Sequence, residues 1–461
     1  MGKTIIRNMT EGSVFRQLAA FSLPLLLANS LQTLYTTVDT LVVGRFVGTA
    51  ALSAVSTCGE LVNFYSMIGM GLASAGQIII AQFVGKDDKE SVGKTIGAMF
   101  STLTVLAALF SVLCVLTLDR QLQWIKLPAE ALADGRSYTL VSAVGFVFIY
   151  GYNAVSAALR GMGDSKRPLL FVAIASVANL LLDLLFVLGF GWGAFGAALA
   201  TILGQGFSLV SSVIYLYRRK DAFCFDFRLR SFRPERRYLK MLLQLGVPTA
   251  AQFAAILISV LFIGAQINSF GVAASAANGI ANKLENILRI VSNSVGTAGS
   301  AMIAQNLAAK QHKRVEKILG WVMVICVSWA ALCSAAILLL PQQIFSLFNR
   351  DAAVLEYAMI YGPVGVLCYM SNGLRATANA LINGIGFAAL SLTSGLLDGV
   401  AARIGFSLLL GVGFGMGLLG FWIGSALAGY VPVVIGLVYF LSGRWKTHRL
   451  ITHQENEKTK A

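Results

Sequence analysis

The chain has 461 residues, 57% of them hydrophobic and 12% charged, with a mean hydropathy of +0.74. A soluble chain carries about twice that charged fraction and would have nowhere to bury so much apolar surface, so a soluble enzyme or binding module is excluded. The formal net charge of +15 invites a nucleic-acid partner, but the basic residues are placed as membrane topology places them, and no nucleic acid is expected.

A bilayer span needs about 20 apolar residues. Apolar runs between polar punctuation predict twelve spans, at 17–45, 51–83, 96–117, 137–159, 168–188, 194–217, 244–268, 274–306, 318–340, 357–381, 388–410 and 418–441. The predicted fold class is therefore an all-α integral membrane protein. Spans two and eight are longer than a crossing needs, which implies tilt or ends outside the bilayer. Segment 218–240, between spans six and seven, holds nine Lys and Arg. With the amino terminus inside, this and the other basic segments fall on the cytoplasmic face, where they fix topology and meet anionic lipid head groups. The first span begins after Arg16 and is too long for the core of a cleavable signal.

The second half repeats the first. At an offset of 223 residues Gly48 matches Gly271, Ile80-Ala81-Gln82 matches Ile303-Ala304-Gln305, Tyr138 matches Tyr361, and Gly161 and Gly163 match Gly384 and Gly386. At 224, Pro24 matches Pro248. Six spans per repeat is an even number, so both halves enter from the same side and are related by a pseudo-twofold axis along the membrane normal. The expected domains are an amino-terminal lobe 1–217, a basic cytoplasmic linker 218–240, a carboxy-terminal lobe 241–441 and a polar cytoplasmic tail 442–461. A central cavity with alternating access is the expected working arrangement.

Motifs of soluble chemistry fail on context. Gly93-Lys94-Thr95 resembles the end of a P-loop, but Asp88 stands where its first glycine belongs. Gly191-x-Gly193-x-x-Gly196 and Gly415-x-Gly417-x-x-Gly420 fit a dinucleotide pattern, yet neither follows a strand. They read as equivalent outer turns before spans six and twelve. The six cysteines form no CxxC and five lie in apolar spans, and the three histidines build no constellation. No enzyme activity, metal centre or cofactor is expected.

Five acids lie within the spans, where a charge costs several kcal/mol and needs a partner, a wet cavity or a task. Glu60 stands near a span end, Glu285 and Arg289 at i,i+4 suit an intrahelical ion pair, and Asp398 has Arg403 five residues on. Asp39 and Asp183 have no cation within four positions. They stand about six and five residues from the outer ends of their spans, roughly 9 and 8 Å deep. Asn179 shares a helix face with Asp183, and Thr201 and Tyr138 reach the same level. Such a group shares protons or coordinates a small cation. Asn29, Gln32, Thr36 and Asp39 form a polar stripe on span one, and Asn278, Asn282 and Asn286 another on span eight. The stripes line a wet cavity or bind helices together.

Phe21-Ser22-Leu23-Pro24, Val38-Asp39-Thr40, Leu159-Arg160-Gly161-Met162-Gly163-Asp164-Ser165-Lys166 and the Asn179…Asp183 pair, in this order, carry a resemblance over nearly the whole chain. The sequence resembles the multidrug and toxic compound extrusion (MATE) family, nearer its DinF-like bacterial branch. That resemblance implies secondary active multidrug efflux by antiport against an inward proton or sodium gradient. It implies a coupling site at Asp39, Asp183, Asn179, Tyr138 and Thr201, with Na+ at Asp39 and Asp183 if sodium is the ion. The polar stripes, with Gln252 of span seven, place the expected substrate cavity at Asn29, Gln32, Thr36, Gln252, Asn278 and Asn282. Small amphipathic, often cationic organic compounds are the expected substrates, and membrane lipid the surroundings. A monomeric, multi-pass protein of the cell (inner) membrane with both termini cytoplasmic completes the expectation. In another branch of the family span seven carries a Glu; here it offers Gln252, Ala255 and Ser259 and no acid. The alternatives are a lipid-linked precursor flippase of the related exporter superfamily and a passive channel.

Overall fold

A computed structural model describes residues 6–453. Among the described residues the regular structure is helical, without strands. Ten of the described helices are long and apolar enough to cross a membrane, and Ala129–Val144 with Phe146–Gly161, bent by 46°, make an eleventh. Span eight, Val272–Ala308, completes the twelve. Its 37 residues are ample for a crossing, although Lys283, Glu285, Arg289 and a series of asparagines make its middle polar. Span two, Thr49–Gly85, also has 37 residues, about 55 Å of helix.

The repeat is written into the backbone. Gly48 and Gly271 cap spans two and eight at φ 124° and 106°. Asp87 and Lys310, 223 residues apart, both take a left-handed turn after those spans. At the outer turns Gly191 and Gly415 both have φ 68°, while Gly193 and Gly417 have 51° and 57°. Only glycine takes these values without strain, which accounts for the dinucleotide-like pattern. Gly161 and Gly384 allow close approach of spans four and ten. A Cβ there would strike Gln77 O and Ile80 in one half, Ser300 O and Ile303 in the other.

Two compact units emerge. One gathers residues 6–8 and Leu23–Ala250, the other Met9–Ser22 and residues from Ala251 to 453. Span one (Val14–Phe46) and span seven (Arg236–Asn268) therefore each divide between units, within about a turn of Pro24 and Pro248. In the first unit the segment after span six lies on span three (Lys89–Leu116). Phe100 meets Phe225 and Phe232 at 5.7 and 6.2 Å, and Lys94 bridges Glu90 and Glu235 at 2.8 and 3.1 Å. In the second unit Arg314 holds the chain before span one, donating to the carbonyls of Met9, Glu11 and Gly12 and to the Gln17 side chain. Residues after span twelve also pack there. Trp445 stacks on Phe440 at 5.7 Å, Lys446 pairs with Glu316 at 2.8 Å, and His448 lies 4.5 Å from Phe387. Residues 454–461 of the expected tail lie outside the described residues.

Spans five and eleven leave α-helical geometry. Span five (Lys166–Asp183) continues as a π-helix over Leu184–Gly189, and span eleven ends likewise over Leu409–Gly413. Span eleven has a further π segment, Leu397–Ala402, that span five lacks. A π-bulge accommodates one inserted residue. The repeat offset grows by one across it, from 223 at Gly163/Gly386 to 224 at Gly191/Gly415.

Candidate functional site

The first unit brings the unpaired acids into one environment. Asp39, on span one, is 7% exposed, Asp183, at the end of span five, 0%, and Asn179, one turn earlier, 3%. Asn179 Nδ2 donates to Thr201 Oγ1 of span six at 3.3 Å. Tyr138 is buried and lies within electrostatic reach of both acids, as Asp183 does of Asp39. Asp39 Oδ1, Asn179 Oδ1 and both Asp183 oxygens are buried without a hydrogen-bond partner. A buried carboxylate without donors costs several kcal/mol, so the group favours any species that brings positive charge.

The oxygens on offer are carboxylate, amide and hydroxyl, a set suited to a proton or to a hard cation. Among the described residues no three His, Cys, Asp or Glu converge as a metal centre would require. Sequence reading missed Tyr35, one turn before Asp39 on the same face. Its hydroxyl accepts from Gln205 Nε2 at 3.3 Å, and it lies within electrostatic reach of Asp39. The i,i+4 spacing was the available signal.

The expected cavity residues fall into two classes. On span one Gln32 and Thr36 are exposed and Asn29 half-buried. Thr33, Thr36, Thr37 and Thr40 return their hydroxyls to carbonyls one turn back, at 2.8–3.1 Å, which bends helices. In the second unit Asn282 is exposed. Gln252, however, is buried and accepts from Ser391 at 2.9 Å, and Asn278 accepts from Trp422 Nε1 at 3.1 Å. These two join helices within their unit.

The other acids are placed differently from their sequence neighbours. Glu60 is exposed. Arg289 does not complete the i,i+4 ion pair expected with Glu285: it donates to Asn286 at 2.7 Å, and Glu285 accepts from Tyr361 of span ten at 3.4 Å. Asp398, fully buried, pairs with Arg375 of span ten at 2.8 Å and with Arg403 at 3.1 Å. The second lobe thus has ionisable groups of its own. Arg375 was invisible to sequence reading because the contact joins two helices.

The family model described as MatE matches residues 24–185 and 248–397. A probable multidrug resistance protein of Bacillus subtilis, YpnP, is 28% identical over 97% of this chain and 99% of its own length. A probable multidrug resistance protein NorM of Thermotoga maritima is 23% identical, over 95% of each. Among solved structures, an outward-facing multidrug resistance MATE family transporter of the MOP superfamily superposes with TM-score 0.87 at 22% identity, over 97% of this chain and 99% of that one. A family match over two-thirds of the sequence, on a fold shared end to end, places this chain in the MATE family.

Proposed function

We propose that the chain exports small amphipathic, often cationic organic compounds in exchange for an inward-moving proton or sodium ion, with Asp39 and Asp183 as the coupling site. Multidrug efflux by antiport is typical of the family, and the named relatives are probable multidrug resistance proteins. The observation that carries the site assignment is the pair of buried carboxylates on spans one and five, three of whose four oxygens are buried without a hydrogen-bond partner.

The physical logic is a charge left short of partners. With both acids ionised, three carboxylate oxygens lack donors and the two charges repel. A proton neutralises one acid and turns it into a donor; a sodium ion draws oxygens of both, with Asn179, Thr201 and Tyr138 completing the shell. Either event alters span one, whose threonine back-bonding already favours bending, and so links ion occupancy to the polar face at Gln32 and Thr36. One chain carries both repeats, so it acts as a monomer. The basic segment 218–240 supports a plasma-membrane orientation with both termini cytoplasmic.

The test is dye counterflow in proteoliposomes under separately imposed proton and sodium gradients. Asp39→Asn and Asp183→Asn each reduce gradient-driven efflux at least about 100-fold, the scale of losing a charge-assisted interaction. Only the coupling ion's gradient drives the unmodified protein. Efflux undiminished in both variants removes the assignment.

A further inference from the structure

The second lobe carries a counterpart of the acid site with its charge reversed. Beyond the inserted residue the repeat offset is 224, which sets Arg403 against Asn179 and Ser425 against Thr201; at 223 Tyr361 stands against Tyr138. The pairing is structural as well as sequential. Asn179 donates to Thr201 at 3.3 Å, and Arg403 Nη1 donates to Ser425 Oγ at 2.9 Å. Ser407 takes the place of Asp183.

The charges around this counterpart do not cancel. Arg375 and Arg403 face Asp398 alone, and both arginines are largely buried. Arg289 and Glu285, within electrostatic reach of Arg375, offset one another. One positive charge is left over. The Nε of Arg403 is buried without an acceptor, so the amino-terminal lobe presents orphan acceptors and this lobe an orphan donor. On span eight, which carries Arg289, Asn282, Lys283 and Asn286 are exposed near its middle. Polar side chains at such depth face water, because lipid exposure costs several kcal/mol.

We propose that Arg403, supported by Arg375 and Arg289, forms a binding site for the anionic group of an amphipathic substrate, a carboxylate. The inference rests on the efflux reading above and narrows its substrate class to compounds that carry an acid beside their cationic or aromatic part. A guanidinium with a free N–H donates a charge-assisted hydrogen bond to a carboxylate.

Transport of a zwitterionic fluoroquinolone and of its ethyl ester is measured in proteoliposomes containing the full chain. Arg403→Gln raises the ratio of KM for the acid to KM for the ester about ten-fold, the scale of one charge-assisted hydrogen bond, and Arg403→Lys restores most of it. If Arg403→Gln does not fold, Arg289→Gln reads the same ratio, with a smaller rise expected. An unchanged ratio in the variant that folds overturns the proposal. So does competition by an alkyl phosphate in a protein indifferent to the carboxylate. Export of neither compound under a proton or a sodium gradient overturns the efflux reading instead.

Discussion

Asp398 and Arg403 meet at 3.1 Å although five residues separate them on one helix. In an α-helix that spacing turns the side chains about 140° apart; in the π segment Leu397–Ala402 the i→i+5 repeat aligns them. Arg375 reaches the other carboxylate oxygen from span ten. Removing the acid leaves two guanidiniums without their counterion. Asp398→Asn is expected to destabilise the protein by about 3–5 kcal/mol, read as a fall in detergent melting temperature.

Spans eleven and twelve touch backbone to backbone. A Cβ on Gly424 would fall on Phe406 and Ser407, and one on Gly420 on Leu410 and Gly411. Gly424→Ala should therefore destabilise by about 1–3 kcal/mol or more through forced separation. Gly264, in mid-helix with open space around it, is the contrast. There alanine should stabilise by up to about 1 kcal/mol. Paired melting curves of the two variants check both signs.

Arg314 secures the chain ahead of span one through three backbone carbonyls and a glutamine. Arg314→Ala should free residues 9–13 at a local cost of about 1–3 kcal/mol. Hydrogen exchange confined to that segment is the readout, with exchange in span five unchanged.

Burial against Phe387 and Tyr439 holds the His448 imidazole below its ordinary value of 6.5. The released segment then takes up a proton before the docked one does, so docking is complete above pH 6.5 and weakens as pH falls below it. Exchange at residues 444–450, corrected for intrinsic rate, should rise between pH 7 and 5. His448→Phe should flatten that dependence.

Span number, the repeat and the unusual character of Asp39 and Asp183 were legible because burial in lipid leaves long apolar runs and makes each intramembrane charge conspicuous. The i,i+4 stripes on span one were legible for the same reason. What escaped depended on geometry that residue spacing does not encode. The Asp398–Arg403 pair needs a π turn, Arg375 and Tyr361 reach their partners from another helix, and the helix-joining hydrogen bonds of Gln252 and Asn278 depend on what lies opposite them. The growth of the repeat offset by one residue was the single sequence trace of the π insertion.

The division of spans one and seven between the two units bears on modularity. Residues 9–22 are encoded with the first half but are seated in the second unit; residues 236–250 are encoded with the second half and seated in the first. The gene half and the folding body are therefore different objects. A fragment ending in the segment 218–240 would carry a helix start without its seat and a seat without its helix start. Two such fragments could satisfy one another only by exchanging ends, as in a domain-swapped pair.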